Sequence, residues 1–463
     1  MAAAAEGDIS LFVPQRPDDG QQQVDFVLYG IDCSYFTGKL EMYLRYRGLA
    51  FRRHYLTDKE MQWYAERRLG IAPQIPFLED LRPSTPDAER WLRDTTPIIQ
   101  HLEADARLAR AAPTGVLPER PALAFLALLV EDYADEALWR LGMYYRWAPA
   151  MDGQVMGSRF VYEWAGRGVP LPGKPFIAAI VEMRQWFFSI YGEGIETVRQ
   201  HQAVQEQYLR LLDVLETILQ KQPFLMGDRP TVADFGMAGP FFRHFSSDFT
   251  PRKILQQRAP AVNEWVARLW NSRLDLMPPL AVSVSELLPF GWQHLLPLIG
   301  RYLTYLRDNA RAWAGGQELF SFDGCEVPVV PYRVWCRKQL QQRFLSLDPA
   351  SRSSLEALLR EHGCWEPLFS DARASDYVAL RGHIVECPPE GGVEPPLCHV
   401  SADLPRMGYK WPARPLLRKY ARQRLAPRAL VVLLVVLLLM RCGPRARRSA
   451  LLAAAFLLGR LSK

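Results

Sequence analysis

Within its first 110 residues the chain alternates between two hydrophobic periods, and from Arg120 to Leu274 one of them disappears. Val24–Tyr29 (VDFVLY) is a short apolar run closed by Gly30, the pattern of a buried strand. Phe36–Arg47 carries Leu40, Tyr43 and Leu44 at helical spacing, and Gly48 is a natural stop. A second strand is expected over Phe51–Leu56 and a second helix over Asp58–Arg68; the runs Ile75–Leu78 and Arg90–Leu92 and a helix from Thr95 follow. From Arg120 to Leu274 only helical spacing is convincing, over Pro121–Trp147, Lys174–Tyr191, Val198–Gln220, Val232–Phe245 and Ala261–Arg273. Residues 276–411 are mixed: a helix at His294–Ala314, a hairpin at Glu318–Val330, helices at Tyr332–Leu347 and Ser351–His362, and a loop at Cys387–Pro396. At 463 residues the chain is too long for one ordinary domain. The expected plan is a disordered segment at 1–23, an α/β domain at 24–110, an all-helical domain at 120–275, a mixed helical extension at 276–411 and a tail at 412–463.

The net charge of +6 is unevenly placed. Pro412–Lys463 holds ten Arg, two Lys and no acidic residue, so the remaining 411 residues carry −6. A mildly acidic body does not resemble a nucleic-acid groove, and no nucleic-acid partner is expected. The tail has its own character. Ala429–Met440 (ALVVLLVVLLLM) and Ser449–Gly459 are apolar all round, which no soluble helix face requires, and a basic stretch, Arg441–Arg448, separates them. Each run reaches only about 17–18 Å as a helix, short of a ~30 Å hydrocarbon core. Flanking Arg428 and Arg441 could extend the first span by snorkelling. Residues 429–459 are therefore expected to meet a membrane, with the body in the cytosol; a buried hydrophobic tail in a cytoplasmic protein is the alternative. Met1–Ser10 has neither a basic nor an apolar signal region, so Cys33, Cys325, Cys336, Cys364, Cys387, Cys398 and Cys442 read as reduced thiols.

The order of the first 110 residues is that of a thioredoxin-like α/β domain, and three motifs give the plan a family. Leu28-Tyr29-Gly30 followed by Ser34-Tyr35-Phe36-Thr37-Gly38-Lys39 resembles the strand-to-helix turn where cytosolic glutathione transferases place an active Ser, Cys or Tyr. Gln74-Ile75-Pro76, followed by Asp94-Thr95-Thr96-Pro97, resembles that family's (V/I)-Pro and acidic-Ser/Thr elements. Pro223-Phe224-Leu225-Met226-Gly227 through Pro230-Thr231-Val232-Ala233-Asp234-Phe235 resembles the signature of its helical domain. The resemblance covers residues 24–275 and implies glutathione as substrate, a small electrophile as second substrate, a homodimer as a candidate assembly and no metal. The apolar, basic-flanked C-terminus resembles tail anchors, especially those of the mitochondrial outer membrane. Membrane-tethered relatives that serve organelle dynamics keep a second function open, a non-catalytic interaction or scaffold module on an organelle membrane.

The residues have their own chemistry. A cis Ile75–Pro76 bond would present the main chain of Ile75 to a bound peptide. Thr95 opens a helix, whose free N–H groups attract a carboxylate, and Asp94 supplies a partner for an ammonium; the plainer reading is an N-cap. A free thiol has a pKa of about 8.5, so a hydroxyl donor at a helix N-terminus favours its thiolate. Ser34 offers both, although Tyr35 stands where the family commonly has Pro. A register one residue off would make Cys33 the active group and thiol transfer the reaction; Tyr29 and Tyr35 are lesser candidates. Tyr35, Tyr133 and Trp139 are expected at the electrophile pocket, with Tyr144 and Tyr145 as further candidates. Glu131, Asp132, Asp135 and Glu136 are expected on a solvated helix face rather than on a metal. His362, Cys364, His383, Cys387, Cys398 and His399 fit no zinc spacing. Thr231-x-x-Asp234 has the form of a capping box, to which no chemistry is assigned.

Overall fold

Alternation along β1 (Phe26–Gly30) organises the first part of the molecule. Phe26 and Leu28 point into one core, Val27 and Tyr29 into another, as the period of two requires of a strand buried on both faces. The computed structural model describes residues 24–64, 75–105, 108, 115–164, 174–186, 189–190, 193–277 and 287–370. In it β1 runs parallel to β2 (Phe51–Tyr55) and antiparallel to β3 (Phe77–Asp80), which is antiparallel to β4 (Trp91–Arg93); the sheet order is β2-β1-β3-β4. Helices α1 (Tyr35–Tyr46) and α3 (Thr95–Ala104) bury Leu40, Tyr43, Ile98 and Leu102 with Phe26 and Leu28. On the other face α2 (Asp58–Tyr64) sets Met61 and Tyr64 against Val27 and Tyr29. This is the expected thioredoxin-like unit.

The second half of the fold is helical, as expected: α4 (Pro121–Trp147), α5 (Ala150–Trp164), α6 (Lys174–Trp186), α7 (Val198–Leu219), α8 (Val232–Pro240), α9 (Phe249–Arg258) and α10 (Pro260–Asn271). The helix expected over Val232–Phe245 changes character at Pro240, which has no N–H to give, and Phe241–Phe245 winds as a wider π turn. Asp234 anchors its start. One carboxylate oxygen accepts from Thr231 N, the other from Leu225 N and Trp265 Nε1, at 2.9, 2.9 and 3.1 Å.

The extension contributes α11 (Trp292–Ala314), the hairpin β5 (Leu319–Phe322) and β6 (Cys325–Pro328), α12 (Pro331–Leu345), α13 (Pro349–Glu361) and α14 (Trp365–Phe369). It is not set apart from the body. Leu295, Leu303, Leu340 and Leu359 belong to the same continuous core as Leu126 and Leu211 of the helical domain and Leu28 of the sheet. Cys33, Cys325, Cys336 and Cys364 are buried and form no disulfide among the described residues. Residues 1–23, the loop at 387–396, the remaining cysteines and the tail at 412–463 lie outside the described residues. Among the described residues no helix is long and apolar enough to cross a membrane, and no cluster of His, Cys, Asp and Glu could hold a metal ion.

Candidate functional site

Register brings the three N-terminal motifs together. Tyr29, near the end of β1, faces Phe77 at the start of β3, and Phe77 faces Arg93 at the end of β4. The turn after Gly30, the Ile75–Pro76 pair before β3 and Asp94–Thr95 after β4 therefore share one end of the sheet, where α1 and α3 both begin. The Ile75–Pro76 bond is cis, and Ile75 packs with Ile31 and Cys33.

Ser34 is the N-cap of α1. Its half-buried Oγ accepts from Thr37 N at 3.2 Å, which leaves the hydroxyl proton free to be given elsewhere. The turn is held from the helical domain. Cys33 N donates to Glu163 Oε2 at 3.1 Å, and Cys33 O accepts from Arg146 Nη1 at 2.7 Å. Arg146 is itself locked by Asp248 at 2.8 Å. Cys33 does not fit the role of nucleophile. Its side chain is fully buried, and burial, reinforced by the nearby Glu163 carboxylate, holds the thiol well above its ordinary pKa, so no thiolate is available.

At the other corner Asp94 caps α3 with φ +65°, a conformation that favours glycine and costs a non-glycine residue on the order of 1–3 kcal/mol. Its side chain makes no capping bond; instead Oδ2 accepts from the hydroxyl of Tyr332, at the start of α12, at 3.1 Å. Thr95 is 2% exposed, and its Oγ1 is buried without a hydrogen-bond partner. Thr95 is therefore packed inside the start of α3, beside the strained acidic cap.

The pocket residues separate. Trp139 stacks on Phe36 with ring centroids 5.8 Å apart, next to Ser34. Tyr35 is corrected from pocket wall to core: 1% exposed, it donates its hydroxyl to Ala134 O and lies under Gly239. Tyr133 is also displaced. It sits on a different face of α4, its ring 5.8 Å from that of Tyr302, so it faces the extension. Tyr144 and Tyr145 are buried, Tyr144 bonded to Gln205 and Tyr145 against Tyr208.

The carboxylates of α4 are corrected too. Glu131, Asp135 and Glu136 are buried, not solvated. Glu131 and Asp135 receive Lys39 Nζ of α1, Asp135 at 2.6 Å, and Thr96 Oγ1 donates to Glu131. Burial alone would lower the Lys39 pKa, but the two carboxylates outweigh it and the ammonium is held above its ordinary value. Glu136 pairs with Arg333 of the extension at 3.4 Å. Spacing on α1 marks Lys39 as one polar residue among many; no sequence signal separated it from a surface lysine.

Residues 28–110 match the family model described as "Glutathione S-transferase, N-terminal domain", and residues 199–268 match "Glutathione S-transferase, C-terminal domain". Both halves of the glutathione S-transferase fold are present. Similar solved structures include a glutathione S-transferase from Pseudomonas fluorescens Pf-5, at 15% identity, TM-score 0.28, and coverage of 55% of this chain and 98% of the other. The beta-etherase LigF from Sphingobium sp. strain SYK-6 gives 16%, 0.36, 53% and 94% for the same quantities. FzlA from C. crescentus gives 16%, 0.33, 53% and 88%. No curated protein matches the chain.

Proposed function

We propose that the chain binds glutathione at the end of the sheet where Ser34, Ile75–Pro76 and Asp94–Thr95 meet, and transfers its thiolate to an electrophilic small molecule. The observation that carries the reading is that convergence within a glutathione S-transferase fold. Asp94 would take the ligand's ammonium, the N-terminus of α3 with Thr95 a carboxylate, and the main chain of Ile75 the peptide unit between them. The hydroxyl of Ser34, at the positive end of α1, would donate to the sulfur and favour its ionised form. Trp139 and Phe36 would border the electrophile.

The test is calorimetry of glutathione with the full chain, followed by turnover of an aryl halide. Ser34→Ala should lower the rate and raise the apparent pKa of bound glutathione. A Ser34→Ala protein with unchanged turnover removes Ser34 from the reaction.

One observation favours a second reading, a non-catalytic module: Tyr332 already holds the carboxylate meant for the ammonium. Failure of the full chain to be retained on immobilised glutathione decides for it. In either reading we place the protein on a membrane, with residues 429–459 as the tether and the mitochondrial outer membrane as the leading site. Membrane association that resists carbonate and disappears on deletion of 429–463 is the expected result. A freely soluble full-length chain that aggregates on truncation overturns the tether and leaves a cytoplasmic protein with a buried tail.

A further inference from the structure

Arg93 is the last residue of β4 and stands next to Asp94, at the end of the sheet where the proposed ligand lies. Leu92 points into the core with α1 and α3, so the period of two turns Arg93 to the opposite face, across from Phe77 of β3. Arg93 is only 8% exposed. Among the described residues its side chain makes no hydrogen bond, no ion pair and no ring contact, yet none of its three nitrogens is sealed from solvent. Burial pulls the guanidinium below its ordinary pKa, and the nearby Asp94 carboxylate offsets only part of this. It remains a cation all the same. Arginines this deeply buried are normally paired, because a charge taken from water without a partner is costly.

Asp94 carries the complementary charge. Its Oδ2 accepts from Tyr332 at 3.1 Å, while Oδ1 accepts from no described residue and is not sealed. Its left-handed backbone, φ +65°, ends the strict alternation of the strand, and its carboxylate acts on the Arg93 guanidinium without pairing with it. A cation and an anion on consecutive residues, near each other but unpaired, match a ligand group that bears both charges on one carbon: the head of an α-amino acid. The Thr95 hydroxyl is buried inside the start of α3, which leaves the carboxylate of such a head to the N–H groups of α3 and to Arg93.

Glutathione has one such head, at its γ-glutamyl end. Its other carboxylate, at the glycyl end, has no ammonium beside it. Reach separates the two as well. Ser34 follows β1 and Arg93 ends β4, two strand spacings or about 9.5 Å away across β3, and the γ-glutamyl arm is the longer of the two that leave the cysteinyl residue. We propose that Arg93 binds the α-carboxylate of the γ-glutamyl head while Asp94 Oδ1 takes its ammonium, so that the site selects thiols with a free α-amino-acid head over other thiols. The inference rests on the glutathione reading and adds to it the residue that sets ligand choice.

The test is calorimetry on the full chain with three probes: glutathione, glutathione with its γ-glutamyl α-carboxyl converted to the amide, and glutathione with its glycyl carboxyl converted to the ethyl ester. The α-amide should bind about tenfold or more weakly than glutathione, the loss expected when a hydrogen bond to a charged group is removed, and the ester should stay within about threefold. Arg93→Met should weaken glutathione by a similar factor and bring glutathione and its α-amide to equal affinity, a loss of discrimination that a merely structural role would not produce. The unliganded melting temperature should not fall, because the side chain removed has no partner. Arg93→Lys keeps the charge without the planar fork and should retain only part of the discrimination; it decides the matter if the Met variant does not fold. Equal binding of glutathione and its α-amide, a loss on the ester instead, or a folded variant that discriminates as the wild type does would each overturn the role of Arg93 while leaving glutathione binding in place. A full chain that binds no glutathione overturns both readings.

Discussion

Tyr302 and Tyr332 of the extension each donate a hydroxyl to an aspartate of the body, Tyr302 to Asp132 at 2.7 Å and Tyr332 to Asp94 at 3.1 Å. Burial first, and then the partner carboxylate, holds both phenols well above their ordinary pKa, so each remains a donor. The surroundings differ. Asp132 lies on the shoulder of α4 near Glu136 and Glu131, and burial together with those carboxylates raises its pKa to about 7. Asp94 lies at the open end of the sheet, on a strained cap, beside an unsatisfied Thr95 hydroxyl. The first pair docks the extension; the second stands where the proposed ligand would go. The same contact is structural in one place and competitive in the other.

The largest effect expected is at the scaffold beneath both pairs. Lys39→Met leaves Glu131 and Asp135 buried without their cation, and breaking a buried ion pair from one side costs about 3–5 kcal/mol. Chemical denaturation should show that loss. A change within about 0.5 kcal/mol, the range of ordinary surface substitutions, would mean the carboxylates find another partner and α4 is not locked to α1 in this way.

Asp94→Ala should weaken glutathione by about 1.5–3 kcal/mol, the worth of a hydrogen bond to a charged group, while thermal stability moves much less. Unchanged affinity in calorimetry takes Asp94 out of the site and makes the two tyrosine pairs alike.

Asp132 gives the structural pair a pH signature. Its folded pKa, about 7, lies above the ordinary carboxylate value of about 3.9, so the folded state prefers the protonated form. The favourable contribution is full below about pH 4 and is lost as pH rises through 7. Asp132→Asn should flatten stability over that window. Tyr302→Phe removes the donor that lowers this pKa, and should make the loss at alkaline pH steeper. Parallel melting curves for wild type and Asp132→Asn across the window would refute the assignment.

Most of the fold was legible because hydrophobic period is a local property: α4 spans Pro121–Trp147 as its spacing predicts. Helix α5 was not, since Gly153 and Gly157 weaken a helical pattern. The structure supplies their reason: a Cβ at Gly157 would lie 2.7 Å from Ala178 O, so the glycine is what lets α5 approach α6. The site was half legible. Ser34, Ile75–Pro76 and Asp94–Thr95 stand in short motifs that sheet register joins. Lys39, Arg146 and Tyr332 act across 92, 113 and 238 residues of sequence, where no spacing rule applies. Tyr35 was misplaced because α1 is buried against both the sheet and α8, so its apolar residues do not reveal which of them face a groove.

The smallest effect expected is also the sharpest test of the comparison. Tyr332→Phe removes one hydrogen bond from Asp94 and nothing from the ring packing against Trp335, 5.5 Å away between centroids. If the hydroxyl competes with the ligand's ammonium, removing it should raise glutathione affinity by about 0.5–1.5 kcal/mol, the net worth of an ordinary hydrogen bond. Asp94→Ala should abolish that gain, since the two substitutions act on one carboxylate and a double-mutant cycle would show coupling. Tyr302→Phe, the matching change at the structural pair, should leave affinity alone. A gain with Tyr302→Phe and none with Tyr332→Phe would reverse the assignment of the two contacts: docking of the whole extension, not the hydroxyl at Asp94, would then control access to the groove.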